Sequence, residues 1–269
     1  MTTTIAVAQT QANADVQENQ DRAAAIIKIA AQRGARLIVF PEIFMAGLAP
    51  HEMTATHTRA VSQPLDGPFV SALAQAARQW DIWVISGMLE TAAHTSDKTY
   101  NTTVVLDGRG ELVACYRKTH LFDAFGYKES AAFASGDRLF QPLTTPFGRM
   151  GLFVCYELRF PEVARYQAER GVDFFVMPSG WVKGAMKEEH WRHLICARAI
   201  ENTAYMIASD QVGNQFMGRS LVVDPMGVVL AEGTEEECLI YADLDLRRIE
   251  QVRCKVPSVA HRRIDLYRS

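Results

Sequence analysis

Three residues able to act as acid, base or nucleophile stand where apolar runs of this chain end. Leu37-Ile38-Val39-Phe40 leads into Pro41-Glu42, the segment through Ala114 and Tyr116 into Arg117-Lys118-Thr119-His120, and Met150-Gly151-Leu152-Phe153-Val154 into Cys155. A thiol placed where a buried strand turns into a helix can reach substrate. The N–H of the next residue, Tyr156, then points where an oxyanion would develop. A carboxylate leaving an apolar wall has its neutral form favoured, which suits Glu42 to carry a proton. Alternation puts Lys118 on the face of Leu112, Ala114 and Tyr116, where a buried ammonium would lower a thiol pKa and hold negative charge. A Glu, a Lys and a Cys suffice for thiol-based acyl transfer.

Other chemistries find less support. There is no G-x-S-x-G elbow and no glycine-rich phosphate loop, so neither a serine hydrolase nor a nucleotide cofactor is expected. His120 and His190 lack companions at metal-ligand spacing, and no metal is expected. His120 beside Asp123 reads as a hydrogen-bonded loop anchor. Arg159 and Glu162, three apart at a helix start, are spaced to pair or to dock a loop, and Arg198 and Glu201 have the same spacing within the later helix. Cys115, Cys196, Cys238 and Cys254 have no base nearby in sequence and read as packing or surface residues. A binding protein without activity would be expected to have lost Glu42, Lys118 or Cys155, and a redox sensor would want a second Cys near Cys155.

The elements that must position these groups follow from periodicity. Strands are expected at 4–9, 37–40, 82–90, 99–106, 111–118, 148–155, 174–178, 205–209, 220–223, 228–231 and 238–243. Helices are expected at 16–31, 68–79, 160–170 and 186–203, the first with Ile26, Ile27 and Ala30 inward. Asp107-Gly108-Arg109-Gly110 signals a hairpin, and Asp224-Pro225-Met226-Gly227 a turn. No linker, low-complexity stretch or charge block divides the 269 residues, so one α/β domain is expected. Pattern alone leaves a doubly wound sheet and a two-sheet sandwich both open.

Composition narrows the setting. A net charge of -3 gives no electrostatic reason to expect nucleic acid or an anionic membrane as partner. No apolar stretch approaches the roughly 20 residues needed to span a bilayer, and Met1-Thr2-Thr3-Thr4-Ile5 lacks the character of a signal peptide. Five scattered cysteines without a C-x-x-C pair argue against a disulfide framework and suit a reducing cytoplasm.

Six ordered segments make the chain similar to the nitrilase superfamily of carbon–nitrogen hydrolases. They are Phe40-Pro41-Glu42, the run from Tyr116 to Asp123, the run from Cys155 to Glu162, Glu189-His190-Trp191, the run from Ala197 to Asn202, and the run from Gly218 to Pro225. Tyr127-Lys128-Glu129-Ser130, Trp181-Val182-Lys183-Gly184 and the run from Lys187 to Trp191 resemble the Nit branch, and within it the bacterial deaminated glutathione amidases. Glu157 stands where most of that branch has Asp. The resemblance implies a four-layer αββα sandwich in one domain over 1–269, with a Glu42–Lys118–Cys155 triad. It also makes Glu129 a second carboxylate that orients Lys118. It implies a cytoplasmic homodimer without cofactor, cleaving a small linear amide: deaminated glutathione first, with 2-oxoglutaramate the nearest competitor. Such substrates carry a carboxylate. Segment 178–184 leaves an apolar strand end and is expected on the rim near Cys155. Trp181, Lys183, Lys187 and Arg159 are therefore the candidate substrate-binding residues, the three cations for the carboxylate.

Overall fold

Alternation along the first strands decides which of two cores each side chain enters. A computed structural model of the chain describes residues 2–48, 52–92, 97–213 and 215–267. The first half contains β1 (Thr2–Gln9), α1 (Val16–Gln32), β2 (Leu37–Val39), α2 (Ala55–Val61), α3 (Pro68–Trp80), β3 (Trp83–Thr91), β4 (Thr99–Leu106), β5 (Leu112–Arg117) and β6 (Phe133–Ala134). After β7 (Leu143–Thr145) and β8 (Gly148–Leu152) come α4 (Pro161–Ala168), β9 (Phe174–Ser179), α5 (Lys187–Asn202), β10 (Tyr205–Asp210), β11 (Leu221–Val223) and β12 (Val229–Glu232). The chain then forms β13 (Cys238–Asp245), α6 (Leu246–Lys255) and α7 (Ile264–Tyr267).

The described residues build two sheets. One has the order β13-β1-β2-β3-β4-β5, with β6 beside β4; the other has the order β12-β11-β10-β9-β8-β7. In the first sheet β1, β2 and β3 are parallel, and in the second β8, β9 and β10 are parallel; β13 runs antiparallel to β1, β4 to β3 and β5 to β4, while β6 lies parallel to β4. Ile5, Val7, Leu37, Val39, Ile85 and Val105 face the second sheet, in one core with Met150, Leu152, Val176 and Ile207. Their alternates Ala6, Ala8, Ile38, Val84, Val104 and Leu106 face outward, against Ala23, Ile27 and Ala30 of α1 and Phe69 and Leu73 of α3. Val163 of α4 and Trp191, Ile195 and Ala199 of α5 cover the far side of the second sheet. The fold is thus a mixed α/β four-layer αββα sandwich, with strands covered on both faces as their unbroken apolar runs require.

Local chemistry fixes the connections. Asp15 caps α1, its Oδ1 accepting from Gln17 N at 2.7 Å and Glu18 N at 3.3 Å. Pro68 occupies the first turn of α3, where its missing N–H costs nothing. In the β4–β5 hairpin, Asp107 Oδ1 accepts from Arg109 N and Glu111 N, each at 2.9 Å. Gly110, at φ 76°, is required there because a Cβ would stand 2.3 Å from Ala74 O. The expected strand 148–155 instead ends at Leu152, and Cys155 opens a 3-10 turn, Cys155–Arg159. No helix of the described residues is long and apolar enough to cross a membrane.

Candidate active site

The sandwich brings the ends of β2, β5 and β8 together at one edge, and this is where the sequence places its chemistry. Glu42 follows β2 through Phe40 and Pro41 and is buried. The turn behind it is tight: Ile43 has φ 51°, and a Cβ on Gly87 of β3 would stand 2.2 Å from Ile43 N. Gly87 is therefore the residue that lets the Glu42 turn lie against β3. From the second sheet, Gly180 N donates to Glu42 Oε2 at 2.8 Å, and Gln211 Nε2 donates to the Glu42 carbonyl at 2.7 Å.

Lys118 leaves β5 on its buried face, at 2% exposure, while Cys115 and Arg117 face outward. Its Nζ donates to Glu42 Oε1 at 2.9 Å and to Glu129 Oε2 and Oε1 at 2.9 and 3.2 Å. Burial alone would lower the ammonium's pKa, but the Glu129 and Glu42 carboxylates outweigh it and hold the pKa well above the ordinary lysine value. Glu129 is itself fixed by Phe122 N, which donates to its Oε2 at 2.5 Å. Asn101 of β4 ties the carboxylates together, its Nδ2 donating to Glu42 Oε1 at 2.7 Å and Glu129 Oε1 at 3.0 Å.

Cys155 sits opposite this cluster, 7% exposed and at φ 46°, in the left-handed region that side chains with a Cβ seldom occupy. Such strain is held only where surrounding structure over-determines it. Here much of that structure is Glu157. Its Oε1 accepts from Tyr116 OH at 2.7 Å, Thr119 N at 2.9 Å, Thr119 Oγ1 at 2.6 Å and His120 N at 3.2 Å, and its Oε2 accepts from Val154 N at 2.7 Å. Burial pushes this carboxyl up, but hydrogen bonds from His120, Thr119, Tyr116 and Val154 win and hold it below the usual range. Glu157 thus locks the Cys155 turn to the end of β5 that carries Lys118. The thiol's own pKa lies far above the ordinary cysteine value, through burial first and the Glu42 charge second, against the opposing pull of Lys118 and Ser179. The resting group is a thiol, which needs a base. Tyr156 follows within the turn, and a helix start leaves its first N–H groups free to bind an anion.

Two connected hollows meet at Cys155, sharing Phe122, Gly180 and Val182. The larger, about 560 Å³, is lined by Glu42, Lys118, Glu129, Tyr127, Lys128, Gln211 and Phe216 among others. The smaller, about 210 Å³, adds Tyr156, Trp181 and Lys187. Lys187 is 5% exposed, and its Nζ lies 4.6 Å from the ring centroids of Phe125 and Trp181 and 5.0 Å from that of Phe122. Burial and then Arg159, against the opposing influence of Cys155 and Asp210, leave its pKa below the ordinary lysine value, and among the described residues no carboxylate forms an ion pair with it. Arg159 stacks on the same rings, 4.8 Å from Trp181 and 5.5 Å from Phe125.

The chain matches known proteins in sequence and in fold. A carbon-nitrogen hydrolase family model matches residues 4–254. The chain belongs to the carbon-nitrogen hydrolase family. This hydrolase is 35% identical over 247 residues to the deaminated glutathione amidase of Escherichia coli O157:H7, covering 92% of each chain. It is 32% identical over 273 residues to the human omega-amidase, covering 98% of this chain and 96% of that one. Its fold is similar to a solved amidase variant from Nesterenkonia sp. AN1 that shows Michael addition of acrylamide at its active-site cysteine. That similarity has a TM-score of 0.81 at 27% identity, over 99% of this chain and 98% of the other. The hydrolase is an enzyme acting on amides.

Some expectations about the hydrolase's side chains need correction. Lys183 is exposed and lines neither hollow, because its segment turns outward once Lys183 N has bonded Gln215 O at 2.8 Å. Arg159 turns toward the His190 ring, at 3.4 Å, and Trp181 rather than toward Glu162. His120 bonds Thr119 Oγ1 at 2.9 Å, and Asp123 accepts from Ser130 instead. Arg198 does pair with Glu201, at 2.9 Å, and also reaches Leu158 O at 2.8 Å, docking α5 onto the Cys155 turn. Asn101, Gln211 and Asp210 escaped sequence reasoning. Their one signal was polarity inside or just after a strand whose other residues are apolar.

Proposed function

We propose that the hydrolase cleaves a small linear amide bearing a carboxylate on its acyl side, through a thioester on Cys155, with deaminated glutathione as its substrate. The observation that carries the mechanism is the contact of Lys118 Nζ with both Glu42 and Glu129 in the hollow that Cys155 closes. Glu42 takes the thiol proton as the sulfur attacks the amide carbonyl carbon. Lys118 and the Tyr156 N–H hold the oxyanion. On collapse the C–N bond breaks, Glu42 returns the proton to the departing amine, and the acyl group stays on sulfur. Water, deprotonated by the same Glu42, then attacks the thioester and frees the acid and the thiol. Glu129 keeps Lys118 charged and in place throughout.

The substrate reading is supported by the activities of the relatives and by Lys187. An almost fully buried ammonium without an ion-paired carboxylate is costly unless an anion arrives, and Lys187 and Arg159 share one aromatic wall beside Cys155. Free cysteines support a cytoplasmic location. Exposed Ile200 of α5, lying against Gly227 between exposed Met226 and Val228, supports a homodimer. The test is Lys187→Ala assayed on paired amides. Its KM for the 2-oxo acid amide should rise about tenfold or more, as loss of a charged hydrogen bond of about 1.5–3 kcal/mol requires, with little change for a neutral amide of equal length. Equal losses on both would contradict the assigned carboxylate site.

A further inference from the structure

Behind the Gly180–Trp181 turn lies a carboxyl group that the mechanism above does not use. Asp210 ends β10 with no exposed surface, and its in-register neighbour on the parallel strand β9 is Ser179, equally buried. Side chains at paired positions of adjacent strands share a face. Asp210 Oδ1 accepts from Trp181 N at 2.6 Å, while the Gln211 N–H that also faces the carboxyl is engaged by Ser179 O at 3.2 Å. Asp210 Oδ2 and Ser179 Oγ are both buried without a hydrogen bond of ordinary geometry. The Ser179 hydroxyl nevertheless lies close enough to interact with both the Asp210 carboxyl and the Cys155 thiol. Two orphaned buried oxygens on one face, one of them a carboxyl oxygen, are satisfied together only if one of them donates to the other.

We infer that Asp210 is a positioning residue that works as a neutral carboxylic acid, its O–H donated to Ser179 Oγ and its Oδ1 accepting the Trp181 N–H. Ser179 is then free to direct its own hydroxyl toward Cys155 Sγ, so the acid orients the thiol through one intermediary. It also holds the turn whose Gly180 N–H fixes Glu42. Neutrality follows from what surrounds the group. At every stage one anion stands near it, Glu42 after β2 at rest or Cys155 on its turn once its proton has moved to Glu42, and Lys187 at the start of α5 is the cation facing it; Lys118 is already shared by Glu42 and Glu129. Burial first, with Glu42 adding to it, pushes the Asp210 carboxyl well above the usual carboxylate range against the Trp181 and Gln211 N–H groups and the Ser179 hydroxyl. An ionised Asp210 would oppose the thiolate that the reaction must form; a neutral one does not, and it leaves Lys187 for the substrate anion.

The inference rests on Cys155 as the nucleophile, but its test can fail separately. The infrared spectrum at neutral pH should contain the carbonyl band of a protonated carboxylic acid that disappears in Asp210→Asn; no such difference means an ionised Asp210 and overturns the inference. Function is read as the rate of Cys155 alkylation by iodoacetamide against pH, beside amide turnover and thermal stability. Asp210→Ala should displace the alkylation profile and lower kcat about tenfold or more. Asp210→Asn, whose amide can donate to Ser179 as the acid does, should rescue most of both. Ser179→Ala, which removes only the intermediary hydroxyl, should displace the profile as Asp210→Ala does, and it serves where Asp210→Ala does not fold. Asn as damaging as Ala would mean that the charge is needed, and an unmoved alkylation profile in Ser179→Ala would mean that Asp210 only supports the fold. Either result overturns the inference.

Discussion

Glu42, Glu129, Lys118 and Cys155 carry one net negative charge whether the shared proton sits on sulfur or on Glu42. Moving it changes no total charge in the buried cluster, so the expense of making a thiolate far from water is limited to separation within the group. This fits a thiol whose pKa is pushed up by burial and by Glu42. Two substitutions should separate the roles. Cys155→Ala should abolish amide turnover while leaving unfolding by urea close to the parent's. Glu42→Gln should lower turnover about 10²–10⁴-fold, the usual worth of a general acid–base. It should nevertheless lower the apparent thiol pKa read from alkylation against pH, because the charge that raises that pKa has gone and Lys118 remains. An unchanged or higher thiol pKa in Glu42→Gln would count against the arrangement.

At the scale of elements, the site depends on how closely two sheets approach. Glu42 comes from the first sheet, but Gly180 N and Ser179 O from the second hold its side chain and backbone, at 2.8 and 3.4 Å. The strand ends that deliver Glu42, Lys118 and Cys155 were legible because each apolar run stops at a polar residue. The alternation that buries Tyr116 and Lys118 beside exposed Arg117 was legible too. What closes the gap between sheets was not, since glycine contacts and cross-sheet hydrogen bonds leave no periodic trace. α6 was missed because only Ile249 and Val252 are buried among Arg247, Arg248, Glu250, Arg253 and Lys255, too thin a stripe to show helical periodicity. β7 is three residues long, and the left-handed turn at Cys155 cut short the strand expected to reach it. Gly87→Ala tests the element argument. With Ile43 N 2.2 Å from the new Cβ, it should cost about 1–3 kcal/mol or more in urea unfolding. It should also lower kcat, because the displaced backbone carries Glu42.

Across the whole molecule, Glu157 links stability to pH. Its folded pKa is lowered, so its contribution is present above the unfolded value near 4.5 and is lost as pH falls through the folded value. Glu157→Gln removes a carboxylate that accepts from Tyr116, Thr119, His120 and Val154. It should cost about 3 kcal/mol at neutral pH, within the range for breaking a buried charged network. The gap in Tm between parent and variant should shrink on acidification; a gap independent of pH would mean that Glu157 is not held as an anion. One α/β domain was readable from composition and alternation, whereas the choice of a two-sheet sandwich came from the ordered motifs. The contacts of Glu157 could not be read, because its partners at 116, 119 and 154 come from two different strand ends.

The central claim, a covalent acyl group on Cys155, is tested most directly by intact mass. Rapid mixing of the enzyme with deaminated glutathione, followed by acid quench, should show a species heavier by the 2-oxo acid acyl group. Peptide mapping should place that group on Cys155, and hydroxylamine should remove it. Turnover of the amide with no acylated species at any quench time, or an acyl group on another residue, would contradict it.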